Sequence, residues 1–149
     1  MSDPLEVTMG VAGFPAVAGF GSIFASIALS GALAAEGGLS AFQGAWLAQG
    51  PSCADVYSSD GKAASFRRPV DIFAPAFIVS GNRLRTPMAS CRIRSTKPTE
   101  DRHTLLLDCA NAVAGNEVRV LMAMMPDGSL KRYLNEQDTT GTSYQRCSR

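Results

Sequence analysis

The sequence predicts an all-β domain, a small antiparallel barrel or sandwich, behind an apolar N-terminal segment. Three observations carry that prediction. After residue 35, short apolar-alternating runs are separated by turn residues, the pattern of several short strands. No long stretch in that region repeats with a helical period. Four cysteines, all beyond residue 50, make an even set in a short chain, which suits two disulfide staples.

At 149 residues the chain allows one domain. Met9 to Ala35 contains no charged residue, and all 14 Lys and Arg follow it, beginning at Lys62. The apolar run "SIFASIALSGALAA" ends in Ala32-Leu33-Ala34, the small-x-small pattern that a signal peptidase accepts. Residues 1–34 are expected to be a signal peptide, with a retained membrane anchor and a buried helix of the domain as the alternatives. Residues 35–149 are expected to be the domain. The front of the segment departs from a normal signal, offering Asp3 and Glu6 where Lys or Arg is usual. A retained span would want basic residues on its cytoplasmic flank, and neither flank has them. Residues 35–149 keep every basic residue and lose only Asp3 and Glu6, which leaves a net charge of +3. That is not the balance of a dedicated nucleic-acid binder. The expected location is periplasmic or secreted, with membrane contact only if the N-terminal segment is retained.

The elements follow in order. "LSAFQGAWLAQG" is a first strand with Phe42 and Trp46 on one face and Gly44 between them. "SSDGK" at 58–62 is a tight turn, and "AASFRR" follows it within the same strand-and-turn texture. "APAFIVSGNRLR" is a hairpin turning at Gly81-Asn82. "SCRIRS" and "HTLLLDC" are strands on either side of the polar "STKPTEDR", with Pro98 in the turn. Residues 109–114 suit β better than a short helical turn. "EVRVLMAMMPDGSLKRYL" is a hairpin turning at Pro126-Asp127-Gly128, and "TSYQRC" closes the domain.

The hairpin between Cys91 and Cys109 suggests its own register. If those two cysteines face each other, Ile93 faces Leu107 and Arg92 faces Asp108. The second is an opposite-charge cross-strand pair that helps set register. The expected staples are therefore Cys91–Cys109 across one hairpin and Cys53–Cys147 joining the start of the domain to its end. The two other pairings stay open, since connectivity is not readable from sequence. There is no C-x-x-C, and His103 is the sole histidine, so neither a zinc site nor a thioredoxin-like site has support.

Gly44-x-Trp46 at the start of such a domain resembles the first-strand signature of lipocalin-like barrels. The wider pattern is Trp, Cys, "FIVSGNRLR", a Cys–hairpin–Cys unit and a closing aromatic-x-Arg-Cys. That pattern resembles small exported alphaproteobacterial proteins of unknown function. Trp46 is core by default, and a candidate ligand wall under the first resemblance.

Catalytic chemistry has little support. His103 sits near the expected hairpin tip, where a solvated surface role is the default. No G-x-S-x-G elbow is present. Ser59 to Lys62 matches S-x-x-K in letters only, because Asp60-Gly61 marks a turn. Glu100 and Asp101 read as solvated charges. No phosphate-cradling loop and no cofactor motif is found. Arginine outnumbers lysine eleven to three. Arg83 and Arg85 share one strand face, as do Arg92 and Arg94, so neighbouring strands would join four guanidinium groups into a stripe able to grip phosphate or carboxylate. An ordinary solvated sheet face is the plainer reading. The function expected from all this is non-catalytic: an exported module binding a small apolar or anionic ligand, or an envelope component. The alternatives are a protein-interaction or inhibitor module acting through loops, and a hydrolase whose carboxylate site leaves no sequence mark.

Overall fold

The computed structural model describes residues 38–147. The expected signal peptide, residues 1–34, lies outside the described residues. Eight antiparallel strands run in sequence order and close into a barrel: β1 (Gly44–Ala48), β2 (Ala76–Ser80), β3 (Arg83–Arg85), β4 (Ser90–Thr99), β5 (Arg102–Ala110), β6 (Gly115–Met124), β7 (Leu130–Tyr133) and β8 (Thr142–Cys147). The predicted all-β fold is therefore a barrel and not a sandwich. Closure comes from β1 pairing with β8, so the sheet has no terminal strand. One short helix, α1 (Cys53–Val56), stands in the connection between β1 and β2. It was not expected, and "AASFRR" makes only an isolated bridge, Tyr57 to Phe66.

Alternation explains most of the packing. Trp46, Phe77, Leu84, Leu107, Val120 and Leu130 point inward and build the main core. The strand sequences "GAWLA" and "AFIVS" are apolar at nearly every position because both of their faces are covered. On the outer side, residues 49–75 fold back over Ala45, Leu47, Ala76 and Ile78, with Val56 and Ala74 in a second core. Tyr57 anchors this cover. Its hydroxyl lies 2.6 Å from the carbonyl of Trp46 and 3.1 Å from that of Phe77, so its proton is shared between two strand carbonyls. Burial pushes the Tyr57 phenol well above its ordinary pKa.

Both expected staples are present. Cys53 is bonded to Cys147 and Cys91 to Cys109, with sequence separations of 94 and 18. The hairpin register also holds from Ser90 to Ile93, with Arg92 opposite Asp108 and Ile93 opposite Leu107. It then slips by one residue at a bulge between Ile93 and Ser95. Arg94 is the extra residue, and it is Arg94, not Arg92, that comes within 4.0 Å of the Asp108 carboxylate. A bulge adds the twist and bend that a long strand needs to follow a closed barrel. Both strands run on through the polar residues expected to form the turn, and only Glu100 and Asp101 remain to make it.

That extension corrects the reading of His103. It is not a solvated tip residue. It follows Leu105 and Leu107 on the inward face of β5, and its ring meets the edge of Phe42 at 5.2 Å. Its Nδ1 is buried with no hydrogen-bond partner among the described residues.

Candidate ligand cavity

The two ends of the barrel differ. One end is closed by residues 38–43, which run across it before β1 begins. Phe42 is fully buried beneath this segment, and the Trp46 indole N–H donates to the Phe42 carbonyl at 2.7 Å. Arg146, opposite Trp46 in register, lays its guanidinium 4.4 Å from the indole ring. It also donates to the carbonyls of Gln43 (2.6 Å) and Ala41 (3.0 Å). This latch accounts for the glycine of the Gly44-x-Trp46 pattern. Gly44 has φ +122°, and a Cβ there would meet Arg146 Nη1 at 3.2 Å. Trp46 is therefore part of the closed end and does not line the cavity.

The other end is open. Its loops are 49–75, 86–89, 111–114 and 134–141, and between them lies a cavity of about 390 Å³. That lies toward the lower end of the roughly 300–1,000 Å³ found for small-molecule sites. The walls are inward side chains of β2 to β8, chiefly Phe77, Leu84, Leu107, Val118, Val120, Met122 and Tyr144. The Cys91–Cys109 disulfide forms part of one wall, since both cysteines face inward across the same hairpin. Phe77 and Tyr144 meet edge to face at 5.0 Å. Polar groups are few: Thr86, Asn111 and Asn116 lie in or beside the mouth loops, and Arg132 stands on β7.

The loops around this mouth carry an apolar rim. Among the described residues, the large apolar side chains that are clearly exposed are Val70, Ile72, Phe73, Met88, Val113 and Leu134. Each belongs to one of the four mouth loops, and each loop supplies at least one. Phe73, Val113 and Leu134 are more than four-fifths exposed, at 84%, 93% and 85%. The turns at the closed end carry none.

The four arginines of the expected stripe lie on the outside of β3 and β4. Arg83 and Arg92 stand directly opposite each other and are exposed, with no ion-pair partner among the described residues. Arg85 is half-buried, opposite Ser90, and donates to the carbonyl of Ala64 at 2.9 Å. Arg94 leans toward Asp108. The strands thus bring two of the four together freely and turn the other two to structural partners.

Arg132 was not singled out in the sequence, although a signal was there. In "SLKRYL", two-residue alternation puts Arg132 on the same face as Leu130, which is fully buried. Among the described residues no three His, Cys, Asp or Glu side chains gather as a metal site. No helix among the described residues is long and apolar enough to cross a membrane. No family model, no curated protein and no solved structure matches this chain.

Proposed function

We propose that this protein is an exported, non-catalytic binding module that holds a small, largely apolar ligand in the open half of its barrel. The observation that carries the reading is the uneven filling of the interior. Phe42 and Trp46 pack one half shut, while the other half keeps a mouth-facing cavity with apolar walls. Burying a ligand's apolar surface against such walls gives about 25 cal/mol per Å² before the entropy of binding is subtracted. Two disulfides fit an oxidising compartment, which agrees with delivery to the periplasm or outside the cell.

The test is obstruction of the mouth. Asn116 is exposed, lines the cavity and sits on a strand, so Asn116→Trp places an indole in the opening without disturbing the closed half. Protein from its native host, examined by native mass spectrometry, is expected to carry a bound small molecule, and Asn116→Trp to lose it. A folded Asn116→Trp variant that binds as the parent does would sink this reading.

A second reading draws on the rim. Four loops each present an apolar side chain to water, the arrangement of a surface that covers a partner protein. Under this reading Phe73→Ser with Leu134→Ser abolishes partner capture and leaves small-molecule binding intact.

A further inference from the structure

Among the described residues that line the cavity, Arg132 is the only charged one. It stands on β7 between Met122 of β6 and Thr142 of β8, one alternation step outward from Leu130. The chain gives most of its other wall and loop arginines something to hold. Arg67 donates to the Ala54 carbonyl, Arg85 to that of Ala64, and Arg146 to those of Gln43 and Ala41. Arg102 lies 3.7 Å over the Tyr133 ring, and Arg94 faces Asp108. The Arg132 side chain has no hydrogen bond or ion pair among the described residues.

An unpaired guanidinium in an apolar mouth discriminates between ligands. While the mouth is wet, water satisfies it. A neutral ligand in the cavity leaves this exposed guanidinium to water and gains nothing from it. A ligand with a planar or tetrahedral anionic head gives it a partner that matches the guanidinium fork. Position fixes the orientation. Arg132 is exposed and near the rim, whereas Leu84, Leu107, Val120 and Met122 lie deeper. We infer that the cavity takes single-chain anionic amphiphiles, with Arg132 gripping the head at the mouth and the apolar tail lying along those four side chains. This rests on the cavity being the binding site, as proposed above.

The experiment is calorimetric titration with four eight-carbon probes below their micelle concentrations: octanoate, octyl sulfate, 1-octanol and octyltrimethylammonium. They share a tail and differ in the head. Octanoate or octyl sulfate should bind one to one, about 10- to 100-fold more tightly than octanol, the range expected for a hydrogen-bonded charge. The cation should bind more weakly than octanol. Whichever anion is preferred distinguishes a carboxylate ligand from a sulfate- or phosphate-like one. Arg132→Gln should bring the anion down to the octanol level and leave octanol unchanged, while Arg132→Lys should keep part of the preference. Equal binding of octanol and both anions would overturn the assignment of the head and leave the cavity reading standing. An anion preference that survives Arg132→Gln would overturn the role of Arg132. Failure of all four probes would overturn the cavity reading itself, and this inference with it.

Discussion

Removing the two disulfides one at a time should cost unequal amounts of stability, and the inequality follows from where each closes the chain. Cys53–Cys147 spans 94 residues and Cys91–Cys109 spans 18. In the chain-entropy account these loops restrain the unfolded state by about 4.7 and about 3.2 kcal/mol, a gap of about 1.5 kcal/mol. Packing acts the other way. Cys91 is more deeply buried than Cys53, so replacing the inner pair by Ala also removes better-packed sulfur, which trims the gap to about 1 kcal/mol. The comparison is between the double variants Cys53→Ala/Cys147→Ala and Cys91→Ala/Cys109→Ala, so that neither leaves a free thiol. Equilibrium unfolding in urea reads the difference. A gap of about 1 kcal/mol also separates the melting temperatures by roughly 5 °C for a domain of this size. Equal losses, or a larger loss for the inner pair, would show the opposite, that the hairpin around Cys91 and Cys109 depends on its staple more than the barrel depends on the joining of its ends.

Two further outcomes concern the closed end and the loops. Arg146→Ala removes the contact over Trp46 and two charge-assisted bonds to the 41–43 backbone, and should cost about 2–3 kcal/mol in urea unfolding, with Arg146→Lys recovering a part. Faster hydrogen exchange at the Phe42 and Gln43 amides should accompany it. Asp55, Asp127 and Asp138 are held below the usual carboxylate range, by the Ser52 hydroxyl, the Ser129 hydroxyl and the Gly141 amide respectively. A carboxylate depressed in the folded state stabilises above its unfolded pKa, and that contribution is lost as pH falls through the folded value. Stability should therefore decline below about pH 4, and Asp138→Asn should make the acid decline shallower in a pH series of urea midpoints. An unchanged acid limb in Asp138→Asn would remove that carboxylate from the account.

Local chemistry made much of this fold legible. Gly81-Asn82 and Pro126-Asp127-Gly128 mark real turns because their backbones need conformations or bonds that few residues supply: Gly81 and Gly128 have positive φ, and the Asp127 carboxylate accepts from Ser129. The Cys91 to Cys109 register was readable because inward and outward residues alternate cleanly up to Ile93. Its limit was the bulge at Arg94. A one-residue insertion leaves no compositional trace, yet it shifts every later residue. His103 could be taken for a tip because both strands run on through polar residues that read as a turn. The second core under residues 49–75 hides in the same way, because a continuous apolar strand does not say what covers its outer face. The candidate site was legible only in part. Gly44-x-Trp46 pointed to a barrel but to its packed end. Arg132 carries no motif, and its meaning depends on Leu130 facing inward and on the three-dimensional closure that puts β6, β7 and β8 around one mouth.

On the reading proposed above, the open half of the barrel, and not its outer face or its loop tips, is where this protein meets its ligand. Methyl-resolved nuclear magnetic resonance tests it most directly, by titrating the protein with octanoate and following Leu84, Leu107, Val120 and Met122 against the Trp46 indole. Shifts are expected at those four methyl-bearing side chains and at the Arg132 guanidinium, with the Trp46 indole unmoved. Shifts confined to Arg83 and Arg92, or to Phe73, Val113 and Leu134, with the inner methyl signals unchanged, would contradict it.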